Sequence, residues 1–442
     1  MTISTNEATR SFYLESLGCS KNQVDSEVML GTLFQAGYTL IDDPQAAEII
    51  IVNTCAFIEE ATRESIETIL ALAEEKKTGA CRFLVVCGCL SQRYRDELLD
   101  ELPEVDLFVG TGEYPAIGTH LERLFAGQET SRLFTGRPSF LMDAETPRIL
   151  TAPGSSAYLK IAEGCSHRCT YCTIPSIRGP YQQRQPESII REAQKLSDAG
   201  IREINLVAQD TTRYEGLADL LKKLARIDGL HWIRLLYGHP LNLGPDVIAM
   251  LAAEEKLCSY IDVPLQHIAD PVLKRMGRRI TRARTEQLIA DLQKNNIAIR
   301  TTFIVGFPGE TEQDFSELLS FVQSARFEHL GTFAYRDEEG TPAARMETKV
   351  PEEIKQERYD RLMTLQAGIA AEKNRARIGN SYEVLVDGIS ADETYALYAR
   401  TAFQAPEVDG VVLLNEALTI GEFTHVTVTA ADTYDLIGKT CQ

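Results

Sequence analysis

Apolar and polar positions change their period along this chain, and the changes divide it into three parts. In the first part, short apolar runs alternate with stretches of helical spacing. Phe12-Tyr13-Leu14-Glu15-Ser16-Leu17 predicts a strand ending at Gly18-Cys19. Val24 to Ala36 carries apolar residues at helical intervals and stops at Gly37, a helix terminator. The run Glu48 to Asn53 predicts a buried strand ending at Thr54-Cys55, and Arg82 to Cys87 another ending at Gly88-Cys89. Three apolar strands with helices between them predict a doubly wound parallel sheet over residues 9–135.

The pattern loosens from Arg132 to Ser156, where Pro138, Pro147, Pro153 and Gly154 suit a linker. Over residues 151–378 strands and helices alternate again. Strands are expected at Ala157 to Ile161, Glu203 to Val207, Trp232 to Leu236, Tyr260 to Val263, Ala298 to Val305 and Leu330 to Ala334. A helix from Glu187 to Ala199 closes at Gly200. Six such repeats predict a partial (β/α)6 barrel with its site at the strand C-termini. Pro351 to Ile378 predicts a long charged helix. After Gly379-Asn380 the period drops to two, as in Tyr382 to Val386 and Val426 to Thr429. Residues 379–442 are therefore expected to form a small all-β barrel. The fold class is α/β with this β module appended.

Composition narrows the function. A length of 442 residues fits about three domains. No apolar run nears the ~20 residues that span a bilayer. Met1-Thr2-Ile3-Ser4-Thr5-Asn6-Glu7 lacks the basic start and apolar core of an export signal. Ten cysteines in such a chain point to a reducing, cytoplasmic setting and to metal chemistry. A net charge of −19 argues against a broad nucleic-acid surface and fits a basic partner, or solubility alone.

The chemistry centres on Cys165-Ser166-His167-Arg168-Cys169-Thr170-Tyr171-Cys172. Three thiols this close suit a cubane iron–sulfur cluster with one iron left uncapped, where a small molecule can bind and react. A zinc site would need a fourth ligand, and His167 sits inside the first gap, poorly placed to supply it. Cys19, Cys55 and Cys89 each follow a predicted strand. Ligands of open α/β sheets gather at the carboxyl ends of the strands, so these three are candidates for a second convergent site. The alternative is that they are ordinary buried cysteines, as Cys81, Cys87 and Cys258 are expected to be.

With these motifs the chain resembles the methylthiotransferase family of the radical SAM superfamily. The resemblance rests on Cys165, Cys169, Tyr171 and Cys172, on Gly18-Cys19-Ser20-Lys21-Asn22, on Asn53-Thr54-Cys55 and on Gly88-Cys89-Leu90. It covers nearly the whole chain, because the family's order is a cluster domain, a radical SAM core and a TRAM module. Ser16-Leu17 ahead of Gly18, Pro264-Leu265-Gln266-His267-Ile268 and Ala405-Pro406-Glu407-Val408-Asp409-Gly410 resemble the branch that modifies an aspartate of the twelfth small-subunit ribosomal protein. The alternative branch modifies tRNA adenosine. It usually has Gln-Met-Asn after its first cysteine and Gln-Ser-Gly where Gln266-His267-Ile268 stands. Gln404 departs from the first branch, which often has Asp there.

The resemblance implies two [4Fe–4S] clusters, one on Cys165, Cys169 and Cys172 and one on Cys19, Cys55 and Cys89, with their open irons facing one cavity. It implies two molecules of S-adenosylmethionine per turnover. One yields a radical that takes hydrogen from the aspartate β-carbon, and the other methylates the transferred sulfur. An electron-donor protein and a sulfur donor are implied as partners. Tyr171, Gln209, Arg234 and Val305 are candidates for contacts to S-adenosylmethionine, with a purely structural role as the alternative; His267 and Asp210 are candidates to face the substrate, and an arginine such as Arg336 to hold its carboxylate. From Asn380 to Gln442, Arg400 and Lys439 stand alone against ten acidic residues. This balance disfavours RNA contact through the TRAM module and favours a basic protein substrate.

Overall fold

The computed structural model describes residues 10–129, 131–151 and 154–441. The expected lack of an export signal in Met1–Glu7, and Pro153 of the expected linker, lie outside them. The chain forms two compact units. The first holds residues 1–152, 163–167 and 173–184, and the second holds 153–162, 168–172 and 185–442.

The first unit is built on a six-stranded sheet, parallel throughout. Its order is Thr39–Leu40, Ser11–Ser16, Ile49–Thr54, Phe83–Gly88, Leu107–Val109, Leu133–Phe134. The central strands are apolar at consecutive positions because both faces are covered. Ile50, Val52, Leu84 and Val86 enter one core, and Ile49, Ile51, Val85 and Cys87 enter the other. The sequence shows three of these strands. The other three run for only two or three residues, too short to express a period. The expected linker is also corrected. Arg132 donates to the carbonyls of Val105 and Leu102, Met142 and Ala144 are buried, and Arg148 forms a buried ion pair with Glu27 at 2.6 Å. Over its described residues this stretch is a packed strap, not a free connection.

The second unit holds a six-stranded open parallel sheet. Its order is His329–Ala334, Ala298–Val305, Leu257–Asp262, Trp232–Leu235, Glu203–Val207, Ser156–Lys160. Each strand pairs with its predecessor in sequence within this sheet, as βα repeats require. The long helix Glu352–Ala376 is polar by composition yet buries Leu362, Ile369 and Ala370. Five strands, Ser381–Ile389, Leu397–Thr401, Val412–Leu414, Phe423–Ala431 and Leu436–Thr440, close into a barrel. Its interior is Val384, Val386, Ala399, Val412, Leu414, Val426, Val428 and Leu436, the alternate residues of each strand. The fold is thus the α/β arrangement with an appended β barrel expected from the pattern.

Candidate functional site

In the first unit the strand order reverses between Ser11–Ser16 and Ile49–Thr54, the position where open α/β sheets leave a crevice. Cys19 follows the first of these strands and is the N-cap of helix Ser20–Gln35. Cys55 follows the second, and Cys89 opens helix Cys89–Tyr94 after the next strand. The loops interlock. A Cβ at Gly18 (φ +93°) would lie 2.6 Å from the Cβ and 3.1 Å from the Sγ of Cys55, so only glycine permits this approach. Asn22 donates to the carbonyls of Leu17 (3.0 Å) and Thr54 (2.8 Å), while Asn53 donates back to the Asn22 carbonyl (2.9 Å). Ser65 accepts from the Cys55 amide and donates to its carbonyl. The motif residues around each thiol therefore tie three distant segments together.

The electrostatics suit a metal cluster. Burial would raise the Cys19 thiol, but Lys21, Arg178 and two backbone amides outweigh it and hold its pKa below the ordinary value. Burial raises Cys55, with the Cys19 charge adding to it, and pushes Cys89 up to about 12 against the pull of Arg178. Cys55 and Cys89, raised in this way, would give up their protons when a metal binds. All three are free of disulfides, and the sulfur-only donor set fits an iron–sulfur cluster.

Sequence reasoning missed Arg178. It ends the short helix Ile174–Arg178, is buried, and bridges Asp25 Oδ2 (2.5 Å), the Asn22 side-chain oxygen and Cys89 Sγ (3.4 Å). A signal for its site did exist. The apolar stripe Met29, Leu30, Leu33 continues toward the helix start as Asn22, Asp25 and Ser26, all buried. Polar residues in phase with a core stripe mark a polar site under the helix.

The Cys165–Cys172 triplet is built differently. In the first unit, the Cys165 amide donates to the Gly179 carbonyl (3.0 Å) and the Tyr181 amide donates to Ser166 Oγ (3.1 Å). In the second unit, Thr170 donates through its amide to the Met276 carbonyl (3.0 Å) and through Oγ1 to the Arg275 carbonyl (2.8 Å). Arg278, also missed, is buried with one nitrogen 3.8 Å from Cys169 Sγ and another donating to the Pro264 carbonyl. All three triplet thiols are half-buried and outside any disulfide. By contrast, Cys81, Cys87 and Cys258 are buried in the cores with raised pKa values, and burial is the largest cause in each.

The other expected site residues fare unequally. Tyr171 packs edge-on against Phe307 with ring centroids 6.4 Å apart, in a core with Val272, Met276 and Tyr335. Gln209 lies just past strand Glu203–Val207 and is half-buried. Val305 ends its strand fully buried, and its carbonyl accepts from the Tyr335 amide (2.8 Å). Arg234 is corrected. It is wholly buried, and its guanidinium donates to Glu203 Oε1 (3.1 Å) and to the carbonyls of Ala402 (2.7 Å) and Thr401 (3.4 Å). It belongs to an ion network with Arg400 and Asp387 that docks the β barrel onto the parallel sheet. Asp210 accepts from Asn242 Nδ2 (2.7 Å), Thr212 Oγ1 (2.8 Å) and the Arg213 amide (3.1 Å), which makes it a loop brace. His267 does not face a substrate. It is fully buried, accepts the Ala269 amide at Nδ1 (3.0 Å), and burial pushes its pKa down to about 3, so the ring is neutral. Arg336 is exposed just beyond strand His329–Ala334.

The Ala405–Gly410 motif has a structural role of its own. Asp409 accepts from Tyr260 (2.7 Å), Arg300 (2.9 Å) and the Ala405 amide (2.8 Å), and Glu407 accepts from Tyr158 (3.1 Å). Gln404 accepts the Thr401 amide and hydroxyl through its own side chain. Several acids of the module are therefore used in docking, as are Arg400 and Asp387. The exposed charges that remain include Asp392, Glu393, Glu422 and Asp432 against Lys439, still an acidic excess.

Comparison with known proteins agrees with this anatomy. Residues 11–110 match an uncharacterized protein family (UPF0004), 159–322 the radical SAM superfamily, and 378–441 the TRAM domain. A protein of Pelobacter propionicus named ribosomal protein uS12 methylthiotransferase RimO is 47% identical over 434 residues, 96% of each chain. One of the same name from Geobacter sulfurreducens is 48% identical over 434 residues, 96% of this chain and 97% of its own. Among solved structures, the radical S-adenosylmethionine methyltransferase TsrM from Kitasatospora setae superposes with a TM-score of 0.58 at 16% identity. The match covers 76% of this chain and 75% of that one, a likeness of fold. No helix among the described residues is long and apolar enough to cross a membrane.

Proposed function

We propose a function for this chain from the premise that it belongs to the RimO family of ribosomal protein uS12 methylthiotransferases. It is a radical SAM enzyme that attaches a methylthio group to the β-carbon of an aspartate in uS12. The observation that carries the reading is that Cys19, Cys55 and Cys89 each follow one of three neighbouring strands of the first sheet, in a chain that also holds the Cys165–Cys172 triplet. A radical SAM enzyme with one cluster needs only the triplet, and a second thiol set is what sulfur transfer adds.

When bound, two [4Fe–4S] clusters and two molecules of S-adenosylmethionine would supply the one-electron chemistry and the sulfur handling. The chain's own residues hold and shield them. Cys165, Cys169 and Cys172 grip the cluster that activates S-adenosylmethionine, with Gln209 and the Val305 backbone at the strand ends as contacts to that cofactor. Tyr171 packs behind the triplet and offers its backbone. Cys19, Cys55 and Cys89 grip the cluster that handles sulfur. Arg336, exposed past the last strand of the second sheet, is our candidate to pair with the target carboxylate. The acidic excess of the terminal barrel suits a basic protein and repels a phosphate backbone. An electron-donor protein and a sulfur donor complete the cycle, in the cytoplasm where ribosomes are made.

The test is mass spectrometry of uS12 and of tRNA from cells with and without this chain. Loss of one methylthio group from uS12, with tRNA unchanged, is the expected result. Loss from tRNA alone overturns the choice of substrate.

A further inference from the structure

We propose that Arg178 sets the reduction potential of the cluster on Cys19, Cys55 and Cys89, raising it by holding a buried positive charge and a hydrogen-bond donor against Cys89. The inference rests on the reading that these thiols hold a cluster and says what this site does beyond holding it. The geometry is specific. The Arg178 side chain is 3% exposed, and its Nη2 lies 3.4 Å from Cys89 Sγ. The same nitrogen donates to the Asn22 side chain, which reaches within 3.6 Å of the same sulfur, and Nη1 is fixed by Asp25 at 2.5 Å. The guanidinium is thus clamped from two sides with one edge turned to the thiol.

Reducing a cluster adds one negative charge to a site where water cannot screen it. A fixed cation beside a ligating sulfur stabilises the reduced state more than the oxidised one, and hydrogen bonds to cluster sulfurs act in the same direction. Asp25 and Glu163, the latter 3.7 Å from Nη1, oppose the effect in part, while buried Lys21 adds to it. The counter-ions explain how a buried arginine is tolerated. They do not cancel its donor contact, because Asp25 engages Nη1 and the sulfur engages Nη2. A purely structural tie between helix Ile174–Arg178 and helix Ser20–Gln35 would need only the Asp25 and Asn22 contacts.

The test uses the full chain with Cys165, Cys169 and Cys172 replaced by Ala, so that only the first site can hold a cluster. After anaerobic loading with iron and sulfide, iron and sulfide per chain are counted, and the midpoint is measured by redox titration followed by electron paramagnetic resonance. Arg178→Met, Arg178→Lys and Asp25→Asn are compared in that background. We expect equal iron content. Arg178→Met should shift the reduced-to-oxidised ratio at fixed potential at least tenfold toward the oxidised form, about 59 mV for one electron. Arg178→Lys should give a smaller shift of the same sign, and Asp25→Asn the opposite sign. A midpoint unchanged in Arg178→Met at full iron content overturns the proposal. If Arg178→Met cannot hold its cluster, the other two variants decide. Shifts of opposite sign support the proposal, and no shift in either overturns it. A parent protein that binds no iron overturns the cluster reading itself, and the proposal with it.

Discussion

Two sets of three cysteines in this chain are assembled by opposite routes. The triplet at Cys165, Cys169 and Cys172 sits in a single loop, and its spacing alone brings the thiols near one another. Cys19, Cys55 and Cys89 come from three separate strand ends, and only the parallel sheet makes them neighbours. The triplet thiols and Cys19 are half-buried, whereas Cys55 and Cys89 are buried. The triplet depends on the conformation of one loop, whereas Cys19, Cys55 and Cys89 depend on the whole sheet for their arrangement.

The comparison can be broken most directly by removing each set. Replacing Cys165, Cys169 and Cys172 with Ala should lower formation of 5′-deoxyadenosine from S-adenosylmethionine to background. Replacing Cys19, Cys55 and Cys89 should leave that cleavage measurable by chromatography while methylthiolation of uS12 falls to background. If cleavage is lost in both variants, the two sites are not separable.

Two glycines give the next largest effects and sharpen the contrast. Gly18→Ala puts a Cβ 2.6 Å from Cys55 Cβ at φ +93°, and Gly277→Ala puts one 2.7 Å from the Arg168 carbonyl oxygen at φ +72°. Each strained backbone should cost about 1–3 kcal/mol in denaturant unfolding. Gly18→Ala should also lower iron retention at the first site alone, and Gly277→Ala at the triplet alone.

Asn22→Ala leaves the buried Thr54 carbonyl and the half-buried Leu17 carbonyl without its donor and should cost about 1–3 kcal/mol of stability in the first unit. The smallest effect is expected of Arg278→Met. Its contact to Cys169 is 3.8 Å against 3.4 Å for Arg178 and Cys89, so the midpoint of the triplet's cluster should move less than that of the first site does in Arg178→Met.

The same contrast explains what the sequence reveals. A site written in one loop is legible from spacing, as Cys165 to Cys172 is. A site written across a sheet becomes legible only through the rule that ligands gather at strand ends, which located Cys19, Cys55 and Cys89 but not Arg178. Arg178 lies far along the chain from its partners, and no local pattern reports its pairing with Asp25. Arg234 misled for the same reason. It sits on a core strand in a position suited to a ligand, but its partners Thr401 and Ala402 lie at the other end of the chain. His267 belongs to a motif that separates the family's branches, yet burial makes it a neutral brace. The long central strands were legible because they are apolar throughout, and Thr39–Leu40 and Leu133–Phe134 were not because two residues carry no period.

The central claim is that this chain holds two independent clusters, one per cysteine set. It is tested most directly by counting iron and sulfide in the anaerobically loaded full chain and in the two triple-Ala variants. Two cubanes predict about eight iron and eight sulfide per chain in the parent and about four of each in either variant. About four in the parent, falling to none when Cys165, Cys169 and Cys172 are replaced and unchanged when Cys19, Cys55 and Cys89 are, would contradict it.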